Sequence, residues 1–355
     1  MANGSLQLFG MEKGSGEVLY ASNTYAAKLG GLSYPKKAFI PLDLGIPVDS
    51  KIRKAYLEIA AVVPSIQHTK WRVWISGKPV TREFKPQISV DSEEGYYTKS
   101  IYDVTPFLIS MEQHSRHVVS VYYEGSQPII VDHVGLLLLL DTVDSMHSYT
   151  YLSGALLLPP ASEKSIQIEL VDPPSSGDSI VRLILKSPSK YAEARISLNG
   201  SEIARVTGVV GVEDLELRVP KLLEKNTLTI SHVQSGMSYF PKNLVVSTIL
   251  CSTIFSHKPF LEIKKIEHTV SGEEVEIKTL ITNRGDAETE KTLLVVMEHG
   301  SPLGRVELEP IKPGETREET IKIKIKKGYH VLTLRCIWSR RGKTEFVEEK
   351  IKIEC

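Results

Sequence analysis

Cysteine is scarce in this sequence, which contains Cys251, Cys336 and Cys355 among its 355 residues. Three cysteines allow at most one disulfide, so the chain is not one of the small secreted scaffolds that disulfides hold together. Cys251 and Cys336 fall within apolar runs, where a free cysteine behaves as a small hydrophobic residue. We predict that both thiols are buried and unbridged.

The chain also lacks net charge and long apolar segments. Basic and acidic residues both number 43, so no overall field attracts the protein to nucleic acid. The most apolar stretch, residues 134–140, is far shorter than the about 20 residues of a membrane-spanning helix. Residues 1–20 have no basic segment followed by an apolar one, which predicts no secretory signal in this sequence. We therefore expect no nucleic-acid partner, no membrane span and, by default, a cytoplasmic location.

Helical periodicity is the third missing feature. Apolar residues recur mostly at every second position, in short runs bounded by turn-forming residues, which is typical of strands. Ile321, Ile323 and Ile325, for example, alternate with lysines, as in a sheet with one solvated face. The sequence predicts an all-β protein.

The length exceeds what one hydrophobic core usually organises, so several domains are expected. Polar, turn-forming stretches at 141–153 and 256–259 separate clusters of predicted strands. They divide the chain into three predicted domains, at residues 1–145, 146–257 and 258–355.

The first two predicted domains follow one plan. Each has a hairpin with a glycine turn, Ser76-Gly77 in the first copy and Asn199-Gly200 in the second, and each closes on a continuous apolar strand, at 134–140 and 244–254. Glycine supplies the positive φ that tight hairpins need. Continuous apolar strands are typical of positions covered on both faces. We predict two tandem jelly-roll β-sandwiches.

This plan resembles the galactose-binding-like jelly-roll modules found beside glycosidases and on cell surfaces. The shared features are the Asn-Gly-type hairpin and the turn at Asp103-Val-Thr. The front edge of the first copy, Pro41-Leu-Asp-Leu-Gly-Ile-Pro followed by Ala55-Tyr-Leu-Glu-Ile, is similar to that of surface carbohydrate-binding sandwiches. The resemblance implies the fold and makes glycan a possible ligand.

Residues 258–355 resemble the CARDB type of immunoglobulin-like domain, named for cell adhesion in bacteria. The resemblance is carried by Ile281-Thr-Asn-Arg-Gly-Asp-Ala, Ile311-Lys-Pro-Gly-Glu-Thr and Gly328-Tyr-His-Val-Leu. It implies a C-terminal seven-stranded immunoglobulin-like β-sandwich that acts as a spacer, scaffold or adhesive module without a catalytic site. It also implies a cell-surface setting.

Motifs for catalysis and for phosphate binding are absent from the sequence, which has no nucleophile elbow, phosphate-binding loop or Cys-x-x-Cys pair. His114 and His117 are spaced to suit a metal on a helix, but no further ligand follows at suitable spacing, and a polar loop is the simpler interpretation. Asp132 and His133 are a candidate acid–base pair, although adjacent strand residues face opposite sides. We predict no catalytic residue, no metal and no cofactor.

Aromatic side chains indicate the ligand-binding residues, because the apolar faces of sugar rings stack on tryptophan and tyrosine. Arg72 and Trp74 share one face of a predicted strand, and we expect Trp74 to point outward. The tyrosine pairs at 96–97 and 122–123 should each expose one member. The predicted ligand-binding residues are Trp74, Arg72, Tyr97 and Tyr123. Ordinary cross-strand packing would also explain these aromatics.

Three functions remain open at this point. We favour a non-catalytic binding or scaffold protein that assembles with itself or with a surface protein partner, and whose first sandwich recognises glycan. The alternative is a hydrolase of glycan or glycoprotein with carboxylates in a cleft between the two jelly rolls. A virion or filament subunit is the second alternative, since jelly rolls also form shells.

Overall fold

The computed structural model describes residues 3–46, 50–66, 70–109, 116–142, 145–234, 242–340 and 343–354. The chain divides into two compact units, Met1–Phe255 and Ser256–Cys355. Strands dominate the described ranges of both units, and the one helix within those ranges is the short α1 (Thr105–Ile109). The predicted all-β class is confirmed.

The strands of the first unit, in chain order, are β1 (Asn3–Ser15), β2 (Glu17–Asn23), β3 (Ala27–Leu29), β4 (Lys37–Asp43), β5 (Lys51–Val63), β6 (Trp71–Ile75), β7 (Lys78–Thr81), β8 (Ile88–Ser92), β9 (Gly95–Asp103), β10 (Arg116–Tyr123), β11 (Ile129–Asp141), β12 (Ser145–Leu158), β13 (Ser162–Glu169), β14 (Asp178–Ser187), β15 (Ala192–Leu198), β16 (Ser201–Val206), β17 (Gly211–Val219), β18 (Lys225–Gln234) and β19 (Leu244–Ser256). The second unit contains β20 (Leu261–Ser271), β21 (Glu274–Asn283), β22 (Lys291–Glu298), β23 (Ser301–Leu308), β24 (Thr316–Lys324), β25 (Tyr329–Arg340) and β26 (Lys343–Glu354).

The first unit is built from four sheets. In spatial order, sheet I is β4-β10-β6-β7, sheet II is β2-β11-β5-β9-β8 with β3 also paired to β11, sheet III is β1-β12-β19-β14-β17 and sheet IV is β13-β18-β15-β16. Sheets I and IV therefore share one topology, because β4, β10, β6 and β7 correspond in turn to β13, β18, β15 and β16. Sheets II and III share another, in which β2, β11, β5 and β9 correspond to β12, β19, β14 and β17. The predicted internal repeat is thus present in the topology.

Each pair of sheets encloses its own core. Trp71 of sheet I and Leu138 of sheet II belong to the first core. Leu183 of sheet III and Ile230 of sheet IV belong to the second. Two β-sandwiches are therefore present, one from sheets I and II and one from sheets III and IV.

Strand β11 is covered on both faces, as its continuous apolar run predicts. Leu136 and Leu138 lie in the first core, whereas Leu137 and Leu139 pack with Tyr151 of sheet III. This follows from the alternation of side chains along a strand. Sheets II and III consequently pack against each other, and the four sheets stack in the order I, II, III, IV.

The N-terminal strand joins the sheet of the second sandwich. β1 pairs antiparallel with β12 along its length, from Asn3 opposite Leu157 to Ser15 opposite Met146. The repeat does not predict this pairing, because β1 has no counterpart in sheet II and contacts between distant segments leave no mark on local sequence pattern. The division into domains at residue 145 stays a prediction.

The two predicted glycine hairpins are confirmed. Ser76 and Gly77 connect β6 to β7 with φ angles of 46° and 84°, and Asn199 and Gly200 connect β15 to β16 with φ angles of 50° and 85°. Two consecutive residues of positive φ match the right-handed twist of the flanking strands. The turns hold the outer sheets I and IV in register.

The second unit is a β-sandwich of sheet V, β20-β21-β24, and sheet VI, β23-β22-β25-β26. Its core includes Ile321 and Ile323 of sheet V and the buried Trp338 of sheet VI. Lys322 and Lys324 alternate with these isoleucines and are exposed. The predicted alternation is confirmed.

Candidate functional site

Strand β6 divides its side chains between the first core and the outer face of sheet I. Trp71 is 2% exposed and Val73 is fully buried. Arg72 is exposed and Trp74 is half-buried on the opposite face. The two tryptophans therefore take the orientations that the sequence predicts.

Tyr97 and Tyr123 are buried, and the structure corrects their predicted placement. Tyr97 packs between sheets II and III at 1% exposure, and Tyr123 packs in the first core at 4%. The accessible members of the two pairs are Tyr96 and Tyr122. Adjacent strand residues face opposite sides, so sequence shows that one tyrosine faces out but not which one. As placed, neither Tyr97 nor Tyr123 presents its ring to a ligand in solvent.

The outer face of sheet I carries an aromatic row. In the register of the sheet, Ser120 of β10 lies between Phe39 of β4 and Trp74 of β6. Phe39 is 65% exposed and Trp74 is half-buried, whereas Ser120 between them is only 8% exposed. Tyr122 follows two residues after Ser120 on the same face. We call Phe39, Ser120, Trp74 and Tyr122 the aromatic face.

Phe39 was not among the predicted ligand-binding residues, although the sequence pattern of β4 indicates that its side chain points outward. In β4, Ile40 and Leu42 are buried and belong to the first core. Phe39 is out of phase with both, and so it must point away from the core.

Two cations contact the aromatic face, and one of them, Lys37, lies over the rings of both Phe39 and Trp74. Lys37 Nζ lies 4.4 Å from the ring centroid of Phe39 and 5.6 Å from that of Trp74. The guanidinium carbon of Arg72 lies 5.8 Å from the ring centroid of Tyr122. These are cation–π distances. The face therefore combines exposed rings with hydrogen-bond donors of positive charge.

A surface pocket of about 350 Å³ opens at one end of the aromatic face. Its lining residues are Lys70, Trp71, Arg72, Arg82, Tyr122, Glu124 and Gly125. The Tyr122 hydroxyl donates to Glu124, and this hydrogen bond raises the pKa of Tyr122. Tyr122 and Arg72 belong both to the pocket and to the outer surface of sheet I, so the two features are continuous.

A second cluster of titratable groups lies between sheets II and III. Glu58 of β5 is at its centre and is fully buried. Its carboxylate accepts hydrogen bonds from four hydroxyl groups, those of Tyr20, Tyr151 (2.5 Å), Ser153 (2.7 Å) and Thr248 (2.8 Å). We call this cluster the junction network.

Lys99 of β9 supplies the counter-charge in the junction network. Its Nζ lies 3.0 Å from Glu58 Oε2 and donates to His133 Nε2 at 2.7 Å and to Ser247 Oγ at 2.9 Å. The side chains of Glu58 and Lys99 have no exposed surface. Gly135 leaves room for the carboxylate, because a Cβ at that position would collide with Glu58.

Burial and charge set the protonation states of the network. Burial alone would raise the pKa of Glu58, but the charge of Lys99 and the hydrogen bond from Tyr151 hold that pKa well below its usual range. Burial, and then the charge of Lys99, lower the pKa of His133, so its ring is neutral and accepts a hydrogen bond from Lys99. Burial, and then the Glu58 charge, raise the pKa of Tyr20 and Tyr151, which keeps both hydroxyls protonated.

The charged pair of the junction network is closed to solvent and hydrogen-bonded within the protein. Glu58 and Lys99 are fully buried, and each has hydrogen-bond partners on strands of both sheets. A substrate in solution has no path to the Glu58 carboxylate in this arrangement. A buried ion pair whose two charges are hydrogen-bonded specifies how the two sheets pack. The arrangement therefore supports a structural role for this cluster.

Asp132 and His133 do not face opposite sides, contrary to the sequence-based expectation. A β-bulge in the pairing of β11 with β5 lies between Val131 and His133. Asp132 forms an ion pair with Lys186 of sheet III at 2.9 Å, and His133 lies 3.5 Å from Ser247 of the same sheet. The extra residue of the bulge shifts the alternation, so both side chains point toward sheet III. They contact different lysines, so the arrangement does not favour an acid–base pair.

The other candidate ligands lie in different environments. His117 is buried, with Nδ1 3.3 Å from Ser76 Oγ, and His114 lies outside the described residues. Within the described ranges, no three His, Cys, Asp or Glu side chains converge to hold a metal.

Cys251 and Cys336 are buried and unbridged, as predicted, and burial raises the pKa of each thiol to about 12. Of the residues that the structure covers, none belongs to a helix long and apolar enough to span a membrane.

Comparison with known proteins confirms the domain predicted at the C-terminus. The CARDB family matches residues 258–336. This match covers less than half of the chain, and it identifies an immunoglobulin-like domain within the second unit. A search of the curated proteins finds no match.

The similar solved structures include enzymes that act on glycosides. A beta-glucuronidase from an uncultured Clostridium species is 12% identical, with 56% of this chain and 34% of that chain covered and a TM-score of 0.22. The beta-D-glucuronidase of Dictyoglomus thermophilum is 10% identical, with coverages of 60% and 37% and a TM-score of 0.23. A putative beta-galactosidase from Bacteroides fragilis is 12% identical, with coverages of 59% and 33% and a TM-score of 0.23. The chain spans about a third of the length of these enzymes, and similarity at these TM-scores carries no argument about activity.

Proposed function

We propose that this protein is a non-catalytic binding protein that recognises glycan through the aromatic face of sheet I. In this proposal the two sandwiches of the first unit are galactose-binding-like modules. The CARDB-type domain is a scaffold through which the protein assembles with itself or with a surface protein partner.

The observation that carries the proposal is the pair of rings, Phe39 and Trp74, on either side of Ser120. Accessible aromatic rings on a sheet stack on the apolar faces of sugars. Lys37 lies over Phe39 and Trp74, Arg72 lies over Tyr122, and both cations can donate hydrogen bonds to sugar hydroxyls. A surface that combines aromatic rings with hydrogen-bond donors suits a saccharide chain.

The alternative of a hydrolase with its site between the two sandwiches has less support. Its carboxylate would be Glu58, which is buried, ionised and occupied by four hydroxyl donors and Lys99. A glycosidase acid or base must reach the substrate oxygen or a water beside it. The junction network supports packing of the sheets and not hydrolysis at that place.

A glycan array followed by affinity electrophoresis tests the proposal with Trp74→Ala and Phe39→Ala. Loss of a central aromatic contact weakens binding by about tenfold or more. Phe346→Ala is the matched control, because Phe346 is 59% exposed and also lies under an arginine, at 4.8 Å from the Arg335 guanidinium. We expect the control to bind as the wild type does.

Two results would overturn the proposed function. One is a wild-type protein that retains no glycan on the array. The other is retention that is equal in the wild type, Trp74→Ala and Phe346→Ala. Urea unfolding of each variant shows that it is folded, which separates lost binding from lost structure.

A further inference from the structure

The pocket at the end of the aromatic face has an unusual balance of charge. Three cationic side chains line it, those of Lys70, Arg72 and Arg82, against one carboxylate, that of Glu124. Glu124 is already engaged, because it accepts the Tyr122 hydroxyl and lies 3.8 Å from Lys36 Nζ. The three lining cations have no carboxylate within 4.0 Å among the described residues.

Most other arginines of the same unit differ in this respect. Carboxylate partners are present for Arg53, Arg116, Arg182, Arg195 and Arg205. Within the described residues Arg218 also lacks a carboxylate partner, but Arg72 and Arg82 lie together at one pocket. A planar guanidinium binds a carboxylate or sulfate through two parallel hydrogen bonds.

We infer that this pocket binds the anionic substituent of an acidic sugar, a carboxylate or a sulfate, while a neighbouring ring of the same glycan stacks on Trp74. The inference rests on the proposed function and names its ligand class as acidic glycan. Arg72 and Trp74 lie two residues apart on one face of β6, a separation of about 7 Å along the strand. A short oligosaccharide can therefore contact both positions at once.

The charge of the pocket discriminates between ligand classes. A neutral glycan would leave Lys70, Arg72 and Arg82 without a counter-charge. A nucleic acid would also supply anions, and the oligothymidylate probe described below distinguishes it from an acidic glycan. The local excess of positive charge beside exposed rings suits a sugar that carries its own single anion.

Affinity electrophoresis tests the inference with matched polymers. The acidic probes are polygalacturonate, hyaluronate and chondroitin sulfate, and the neutral probes are methyl-esterified polygalacturonate, galactan and β-glucan. An oligothymidylate serves as the nucleic-acid probe. We expect the wild type to be retarded by at least one acidic polymer, more strongly at low salt than at high salt.

The variants distinguish the contribution of the pocket to glycan binding from that of the aromatic face. Arg72→Gln removes a charge-assisted contact and is expected to weaken acidic-glycan binding by about tenfold. It should leave the weaker binding of neutral polymers unchanged. Trp74→Ala should weaken both. Arg205→Gln is the matched control, because it removes an exposed arginine from sheet IV and should change neither.

Each other outcome overturns a defined part of the account. Retention by neutral polymers alone, or equal retention of Arg72→Gln and wild type, refutes the acidic ligand and leaves the proposed function standing. No retention by any glycan refutes both. Retention by oligothymidylate as strong as by the acidic polymers, and equally sensitive to Arg72→Gln, assigns the pocket to nucleic acid and refutes the inference.

Discussion

The junction network and the aromatic face make opposite use of polar and aromatic residues. The network gathers Glu58, Lys99 and His133, residue types that often perform chemistry, and buries them completely. The aromatic face places Phe39 and Trp74, residue types that usually fill a core, where solvent reaches them. Accessibility, and not residue type, therefore decides which cluster can meet a ligand.

The first unit uses different sheets for stability and for binding. Sheets II and III face each other, and the charged pair between them, Glu58 and Lys99, has partners within the protein. Sheet I has one face in the first core and one face in solvent, and the cations of the adjoining pocket lack carboxylate partners among the described residues. Interactions completed within the fold stabilise it, whereas those left open are available for binding.

The largest effect is expected from Lys99→Met. The variant leaves the Glu58 carboxylate buried without its cation, and breaking a buried ion pair in this way costs about 3–5 kcal/mol of unfolding free energy. Urea denaturation measures the loss. The double variant Glu58→Leu, Lys99→Met removes both charges and should be more stable than Lys99→Met alone.

Lys85→Met is the control for that comparison, since Lys85 and its partner Glu83 are exposed. It should unfold as the wild type does. If Lys99→Met also unfolds as the wild type does, the junction network does not hold the sheets together as described.

A smaller effect is expected from lowering the pH. The pKa of His133 is lowered by burial and by Lys99, so below its usual value of 6.5 the unfolded chain binds a proton that the folded chain does not. The pKa of Glu58 is also held below its usual value of 4.5, so its contribution is complete above that pH and is lost as the pH falls further. Both groups make unfolding easier in acid, by at most about 1.4 kcal/mol per pH unit for each proton.

Urea denaturation between pH 7.5 and pH 5 isolates the histidine. His133→Gln keeps an acceptor for Lys99 and removes the titration, so its unfolding free energy should fall less across this range than that of the wild type. Identical pH profiles for the two proteins would show that His133 is not held neutral in the folded state.

Much of the fold could be predicted from the sequence, because alternation and glycine turns are local. The outward orientation of Trp74 and the two-sided burial of β11 follow from spacing alone. The exposed member of each tyrosine pair does not, because its phase depends on the rest of the strand. The bulge at Asp132 likewise leaves no mark in the sequence.

The side-chain partners in the junction network could not be predicted from the sequence. Glu58 interrupts the otherwise apolar run of residues 55–63, which indicates a buried charge, but its partner Lys99 and the hydroxyl of Thr248 are distant in the chain. Their meeting depends on how sheets II and III pack. Local pattern predicts the strands, whereas the side-chain partners come from tertiary structure.

Acrylamide quenching of tryptophan fluorescence tests the central claim most directly. Trp71 and Trp338 are only 2% and 4% exposed, so quenchable emission should come from the half-buried Trp74. We predict that a saturating glycan retained in the electrophoresis assay protects this emission from acrylamide. Quenching that is unchanged when the glycan is bound would contradict the assignment of the aromatic face as the binding site.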